Sequence, residues 1–198
     1  MKKALMTVLA VLIIVVVAGA LAFGGVYNKL VSREEGVNGA WAQVENAYQR
    51  RLDLVPNLVE TVKGYAAHEQ ETLQHVTEAR SQAAKIAPSP GTISDPMSLA
   101  KFQEAQTALT ASLSRLLVVV ERYPDLKAGE NFLALQTQLE GTENRIAVER
   151  KRFNEAARDY NAFRRQFPNL IVARIAGFGN KAYFQADQDF KSAPQVKF

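Results

Sequence analysis

The uncharged apolar run from Ala4 to Tyr27 constrains this chain more than any other part of its sequence. About 20 apolar residues in a helix cover the ~30 Å hydrocarbon core of a membrane. The run therefore predicts a transmembrane helix over residues 4–27, preceded by a short basic N-terminus over residues 1–3. A cleaved signal peptide is the alternative, because small residues lie around Ala18 to Ala22. The run exceeds the ~7–15 residues of a signal-peptide apolar region, which favours a retained anchor.

Basic residues at the two ends of the run bear on its orientation. Lys2 and Lys3 precede it, and Lys29 and Arg33 follow soon after it. The numbers of basic residues on the two sides are therefore nearly equal, and the positive-inside rule does not decide the orientation. A short basic N-terminus before an apolar run is typical of an uncleaved signal anchor. We therefore expect a single-pass protein with its body outside the cytoplasm.

The body begins with apolar residues at steps of three and four, which indicate one stripe of a helix. The stripe starts at Val37 and Trp41 and predicts a helix from Arg33 to Ala87, with no stop before Pro88. A bend is expected near Leu52 to Pro56, because an interior proline removes one backbone hydrogen bond. The large ring of Trp41 is expected to be mostly buried. The stripe also includes Tyr65, Thr72 and Val76.

Prolines separate the remaining helical patterns. A second helix is predicted from Pro96 or Met97 to Tyr123, with Asp95 as its N-cap. Its predicted stripe is Leu99, Phe102, Gln106, Leu109, Leu113, Leu116 and Val120. A third is predicted from Glu130 to Phe167, and Leu170 to Ala176 form a candidate short fourth helix. No run of alternating β-branched residues predicts a sheet.

Long helices such as these are stable only when they bury their stripes against one another. The predicted fold class is all-α, an N-terminal transmembrane helix followed by an elongated antiparallel three- to four-helix bundle. The bundle is assigned to residues 28–167, and residues 168–198 form a C-terminal segment with a short helix and a tail.

The body also carries short sequence blocks in a defined order. They include Trp41-Ala42-Gln43-Val44-Glu45, Arg51-Leu52-Asp53-Leu54-Val55-Pro56-Asn57-Leu58-Val59, Glu121-Arg122-Tyr123-Pro124-Asp125-Leu126-Lys127, Glu140-Gly141-Thr142-Glu143-Asn144-Arg145-Ile146, Tyr160-Asn161 and Tyr183-Phe184. In this order the blocks resemble the LemA family, and the resemblance covers nearly the whole chain. The resemblance implies a membrane anchor and a helical bundle, and it implies little about activity. Relatives in magnetosome gene clusters are linked to membrane formation, which implies a role in membrane organisation. The expected location is the bacterial inner membrane, with the soluble domain in the periplasm.

Two histidines, His68 and His75, are the first candidates for a site. Seven residues apart on one predicted helix, they would lie ~10 Å apart on one face, too far to chelate one ion directly. Glu71 and Glu78 flank His75 at one helical turn. Zinc normally needs three or four ligands, so solvated surface residues are favoured over a metal site.

A charged cluster beside Pro56 is the second candidate, and it consists of Glu45, Arg50, Arg51 and Asp53. One interpretation is a contact with a partner. The favoured interpretation is an ion pair between Arg50 or Arg51 and a carboxylate of the third helix, such as Glu143 or Glu149. An arginine–carboxylate fork suits positions that flank a bundle seam.

A third candidate is a line of basic residues on the third helix, formed by Lys151, Arg158 and Arg165. Anionic lipid could attract such a line. Glu155 and Asp159 interrupt it, so a solvated face is favoured.

Several classes of function are disfavoured by composition. The chain has no cysteine, which removes disulfides, thiolate metal sites and cysteine nucleophiles. Its net charge of +4 comes from interspersed charges, so no nucleic-acid partner is expected. Gly177 and Gly179 form a weak pattern without a preceding strand. We expect no enzyme and assign no catalytic, cofactor-binding or metal-binding residue.

The expected function is membrane-anchored scaffolding or membrane organisation through self-assembly, and the alternative is an adaptor or regulator of another membrane protein, such as a protease. The expected partners are membrane lipid through the N-terminal helix, a second copy of the chain, or a membrane protein.

The C-terminal segment is more apolar than a solvated tail, and its apolar residues are Leu170, Ile171, Val172, Ile175, Phe178, Tyr183 and Phe184. They could pack on the same bundle, insert at the membrane surface or dock on a neighbouring subunit. Arg174 and Lys181 allow the membrane option, but no sustained basic amphipathic face supports it. Packing on a bundle, its own or a neighbour's, is favoured, with homo-oligomerisation as a consequence of the second case.

Overall fold

A computed structural model describes residues 2–86, 89 and 91–185. Over these residues the chain is helical and contains no strand, which confirms the predicted fold class. The helices are α1 (Lys2–Lys63), α2 (Gln70–Lys85), α3 (Pro96–Val120), α4 (Pro124–Lys127), α5 (Glu130–Arg165) and α6 (Asn169–Ile175), with a 3₁₀ helix at Thr92–Ser94.

The first helix joins the apolar segment to the bundle without interruption. It continues through Pro56 and ends at Lys63. Large apolar side chains from Leu5 to Leu21 are exposed, whereas Leu30, a little further along, is fully buried. Among the described residues, α1 alone is long and apolar enough to cross a membrane. One helix therefore supplies both the apolar segment and the first helix of the bundle.

The prediction of a single helix from Arg33 to Ala87 is wrong, because the chain turns after Lys63. Gly64 is the first residue after α1, and glycine is a poor helix former. The amide of Ala66 donates to the carbonyl of Val62 (2.8 Å), so the last turn closes on itself. Ala66 is buried, while Tyr65, which the sequence pattern placed on the stripe, is 56% exposed.

This turn adds a fourth long helix to the bundle. α2 runs back along α1, so that Arg80 Nε donates to the Leu52 carbonyl (2.9 Å). α3 runs parallel to α1, since the start of α3 contacts Trp41 and its end reaches Glu69 through Arg122 (2.9 Å). α5 runs antiparallel to α1. The half of the bundle farther from the apolar segment, the distal half, is thus built from four helices, of which α1 and α3 run in one direction and α2 and α5 in the other.

Two apolar cores are stacked along α1. The distal core unites the ends of α1 and α3 with α2, α4 and the start of α5. The proximal core lies nearer the apolar segment and centres on Trp41, Phe102 and Phe153. The predicted α3 stripe is fully buried: Leu99, Phe102, Gln106, Leu109, Leu113, Leu116 and Val120. Asp95 caps α3 as predicted, accepting from the amides of Met97 (3.2 Å) and Ser98 (3.0 Å).

Within residues 2–86, 89 and 91–185, the proximal half has no long fourth helix. After α6 the chain turns back, and residues 181–185 run extended along the bundle, where Ala182 and Phe184 are buried in the proximal core. We call residues 181–185 the strap. The amide of Ala182 donates to the carbonyl of Ile93 (2.8 Å), so the strap also touches the segment before α3. This part of the C-terminal segment therefore packs on its own bundle, while residues 186–198 lie outside the described residues.

Candidate functional site

Arg51 forms a polar layer between the two apolar cores. Its side chain is 2% exposed and reaches both neighbouring helices. One guanidinium nitrogen donates to Thr110 Oγ1 (2.9 Å) and Glu143 Oε1 (3.1 Å), and the other donates to the side-chain oxygen of Gln106. The guanidinium also lies 5.0 Å from the centre of the Tyr48 ring. A single side chain of α1 therefore binds α3 and α5 together.

This arrangement confirms the favoured interpretation of the charged cluster, with Arg51 and Glu143 as the pair. Glu143 is 37% exposed, so the pair is buried on the arginine side and open to solvent on the other. Glu149, the other carboxylate considered, instead pairs with Arg152 of its own helix (3.0 Å). Arg50 is exposed. A buried ion pair of this kind is a poor source of net stability, but it penalises any register that separates the charges.

A groove runs between α3 and α5 beside this layer. It contains two cavities, of about 240 Å³ over Arg51 and about 320 Å³ towards the distal end. The larger cavity is lined on its apolar side by Leu113, Leu117 and Leu139. Thr110 and Glu143 border both cavities, so the polar layer lies at the centre of the groove.

The proximal core next to this layer is aromatic. Trp41 is 2% exposed, as predicted, and its ring centre lies 5.3 Å from Phe153, 5.7 Å from Phe102 and 5.9 Å from Phe184. One turn further along α1, desolvation raises the pKa of the Glu45 carboxyl, and the Trp41 indole opposes part of that shift. This carboxyl is thus held beside the core in an environment that disfavours its charge.

The strap is held by two asparagines of α5 that the sequence analysis did not select as site residues. Asn161 accepts from the amide of Lys181 (3.0 Å) and donates to its carbonyl (2.8 Å). Asn154, two turns earlier, does the same for Phe184 (2.9 and 3.1 Å). Each side-chain amide replaces the backbone partner that a β-strand would supply. Asparagine is a poor helix former. Two asparagines seven residues apart on one helix were the sequence signal that could have indicated a polar contact on that face.

An ion pair and a phenol complete the proximal end of the strap. Lys181 is buried and its ammonium lies 2.8 Å from the Glu34 carboxylate of α1. Tyr160 donates its hydroxyl to the carbonyl of Gly179 (2.9 Å). Desolvation, with the nearby Glu34 charge, raises the pKa of Tyr160 to about 12. These groups act as structural contacts between α1, α5 and the strap.

The segment before the strap forms the proximal end of the bundle, which we call the cap (residues 166–180). Within it α6 packs against α1 and α5 through Val172 and Ala173. Gly177 adopts a left-handed conformation (φ 78°), and the amide of Phe178 returns to the carbonyl of Ala173 (2.9 Å). Glycine is the usual residue at this helix-ending position. The weak glycine pattern of the sequence is therefore a helix stop that redirects the chain into the strap.

The histidines do not lie on one helix as predicted. His68 lies in the turn between α1 and α2, while His75 lies on α2. His75 is half exposed and lies 3.6 Å from Glu71 and 4.0 Å from Glu78. In the part of the chain that the structure describes, no three histidine, aspartate or glutamate side chains converge on one point.

The basic line of α5 is exposed at all three positions, Lys151, Arg158 and Arg165. Arg158 pairs with the adjacent Asp159 (3.1 Å). Exposure is compatible with a solvated face and with a face towards anionic lipid, so the choice between them stays a prediction.

Comparison with known proteins gives a consistent assignment. The sequence model of the LemA family matches residues 40–198. The chain is 30% identical over 175 residues to magnetosome protein MamQ 2 of Paramagnetospirillum magneticum, covering 80% of this chain and 64% of that protein. It is 28% identical over 174 residues to magnetosome protein MamQ of Magnetospirillum gryphiswaldense, again covering 80% and 64%. It is 25% identical over 161 residues to protein LemA of Metamycoplasma hominis, covering 81% and 69%.

The chain thus spans slightly less than two thirds of the length of the magnetosome relatives. The family match covers most of the bundle and the strap, including the Arg51 layer and both asparagines. Together with the apolar helix, these matches describe a membrane-associated helical protein. The chain belongs to the LemA family.

Proposed function

We propose that this protein is a non-enzymatic, membrane-anchored scaffold that organises the membrane through self-assembly. The observation that carries the proposal is the continuity of α1, which is a single helix from Lys2 to Lys63. The same helix presents exposed apolar side chains at one end and contributes Trp41 and Arg51 to the bundle at the other. A bundle anchored by its own core helix is held at a set distance from the bilayer, as scaffolding requires.

The exposed apolar residues of the distal half supply a surface for assembly. Val118 and Leu133 are 71% and 47% exposed. Ser114 and Glu140 line the groove between α3 and α5. Val118 lies one helical turn beyond Ser114, and Leu133 lies two turns before Glu140. Helical spacing therefore places them on the stripes that border the distal groove. Exposed apolar surface beside a groove is typical of a protein interface.

The groove also favours a second candidate function, an adaptor for another membrane protein such as a protease. Its apolar cavity is lined by leucines and ends at the charged Glu143. An amphipathic helix of a partner is the kind of ligand that such a groove accepts.

Crosslinking in intact membranes tests both functions. Because the chain has no cysteine, Val118→Cys creates a single reactive thiol beside the groove. Homotypic products support the scaffold, and one discrete heterotypic product supports the adaptor. Glu71→Cys on α2, whose native side chain is 92% exposed, is the matched control for random collisions. If Val118→Cys gives no more product than this control, both candidates lose their proposed surface.

Retention of the anchor and the orientation of the bundle can be tested in the same cells. We expect the intact chain, with its original N-terminus, in the inner-membrane fraction. Deletion of residues 1–22 should release a folded, soluble bundle, because the deletion keeps Val26 and Tyr27, which contact the proximal half. A soluble chain that has lost its N-terminus would instead indicate a signal peptide. A membrane-impermeant maleimide should label Glu71→Cys in whole cells, if the bundle lies in the periplasm.

A further inference from the structure

The cap carries large apolar side chains that the bundle leaves uncovered. Phe167 is 84% exposed, Ile175 is 70% exposed and Ile171 is 50% exposed. Ile171 and Ile175 are four residues apart on α6, so they share one face, while Val172 and Ala173 face the bundle. The strap, which comes next in the chain, turns away along the bundle, so no part of the chain that the structure describes covers this face.

The height of the cap along α1 matches the end of the apolar run. Phe178 packs edge-on against Tyr27, with ring centres 5.6 Å apart. Val26, within the run, is half buried and packs against the proximal core. A hydrocarbon core of about 20 helical residues, counted from the charged Lys3, ends near Phe23. The cap therefore lies at the level of the lipid headgroups, where Tyr27 also belongs as an interfacial aromatic.

The charge of the cap and of the adjoining end of α5 suits an anionic surface. From Phe163 to Asn180 the sequence contains three arginines and no acidic residue. Arg164 donates to the carbonyl of Phe178 (2.7 Å), whereas Arg165 and Arg174 are exposed. Apolar side chains beside exposed cations are the combination that binds the interface of membranes containing anionic lipid. The contact surface is larger than the α6 helix, because Phe167 belongs to the turn before α6.

We propose that the cap is a second membrane contact, in which Phe167, Ile171 and Ile175 insert into the headgroup region of an anionic bilayer beside the anchor. The proposal rests on α1 being the anchor, as the proposed function requires. Two contacts, one through α1 and one through the cap, fix the tilt and rotation of the bundle. A helix that crosses the bilayer alone leaves its rotation free.

The test uses the full chain reconstituted into phosphatidylcholine vesicles, with and without phosphatidylglycerol. Single-cysteine variants Ile175→Cys, Leu12→Cys and Val118→Cys carry an environment-sensitive dye, and the vesicles contain lipids with a quencher near the headgroup or deep in the acyl chain. The dye at Ile175→Cys should lose most of its fluorescence to the shallow quencher, and more so with phosphatidylglycerol. Leu12→Cys, in the apolar run, should respond to the deep quencher. Val118→Cys, on the distal half, should respond to neither. Phe167→Cys repeats the measurement at a second position.

Each outcome decides a different statement. Quenching at both Leu12→Cys and Ile175→Cys supports the anchor and the cap. Quenching at Leu12→Cys alone overturns the cap contact and leaves the anchor intact. Quenching at neither overturns the anchor and, with it, the cap contact. A dye at Ile175→Cys that is shielded from both the lipid quencher and aqueous iodide would show that a second copy covers the cap, which also overturns the proposal.

Discussion

The aromatic centre of the proximal core gives a prediction that can be worked through in detail, the change Trp41→Ala. The indole is 2% exposed and lies among Phe102, Phe153 and Phe184. These three rings come from α3, α5 and the strap. Removal of the indole therefore opens a cavity where α3, α5 and the strap meet α1.

The magnitude follows from the area that the indole buries. A buried tryptophan covers ~150–250 Å², and ~25 cal/mol per Å² of buried apolar area converts this to about 4–6 kcal/mol. This is an upper estimate, since the unfolded chain already buries part of that area. Measured changes of buried tryptophan to alanine cost ~3–5 kcal/mol. We expect a loss of about 4 kcal/mol in the free energy of unfolding, which lowers Tm by about 8–16 °C for a chain of this size.

Thermal unfolding of the full chain in mild detergent, followed by far-UV circular dichroism, measures this loss. Fluorescence is unsuitable because Trp41 is the only tryptophan. Met97→Ala is the control, since Met97 is 70% exposed and its truncation should change the free energy of unfolding by less than ~0.5 kcal/mol. A Tm decrease for Trp41→Ala no larger than that of Met97→Ala would refute the assigned core.

Three further predictions concern charge and backbone. Glu143→Gln should cost about 3 kcal/mol of unfolding free energy, because it leaves the buried Arg51 guanidinium without its carboxylate. Combining it with Arg51→Met should cost less than the sum of the single changes, because the double change also removes the buried charge. Strict additivity in denaturant titrations would contradict the pair. Glu45→Gln should stabilise the fold at pH 7. Burial raises the folded-state pKa of Glu45 above its ordinary value of 4.5, so the fold loses stability as pH rises from 4.5 through the folded-state pKa and the carboxyl becomes charged. The gain, measured as Tm against pH, should vanish below about pH 4.5, and a gain that persists in acid would argue for another cause. Gly177→Ala should cost about 1–2 kcal/mol, since a Cβ at φ 78° meets no neighbouring atom and only the backbone conformation is penalised. An unchanged Tm would mean that the turn after α6 has relaxed.

Periodic features of this fold were predictable from the sequence. The stripe of α3 and the burial of Trp41 depend only on helical spacing, and both predictions are confirmed. The Arg51–Glu143 pair is one of the pairings expected from an arginine–carboxylate fork beside the bundle seam, although the sequence did not decide between Arg50 and Arg51 or between Glu143 and Glu149. Each of these three features follows from a single physical rule, applied within one helix or between two packed helices.

Features that depend on a single residue or on an irregular segment were missed. Gly64 interrupts an otherwise continuous stripe, and an isolated glycine inside a helical pattern is often tolerated, so the turn into α2 was not predicted. The strap has no periodicity, because its backbone is paired by the side chains of Asn154 and Asn161 and not by a neighbouring strand. Its register is set by two residues on another element, which no local pattern reveals.

The strap also determines the order in which this protein can be completed. Trp41 and Phe184 are stacked in the same core but are far apart along the chain. A ribosome delivers the apolar segment and Trp41 before the distal helices, and Phe184 after them. The distal half can close around α2 as soon as the start of α5 appears, whereas the proximal half stays open until the strap arrives. The part of the bundle nearest the lipid is therefore the last to exclude water, and during synthesis its aromatic rings are accessible to any chaperone or membrane surface beside them.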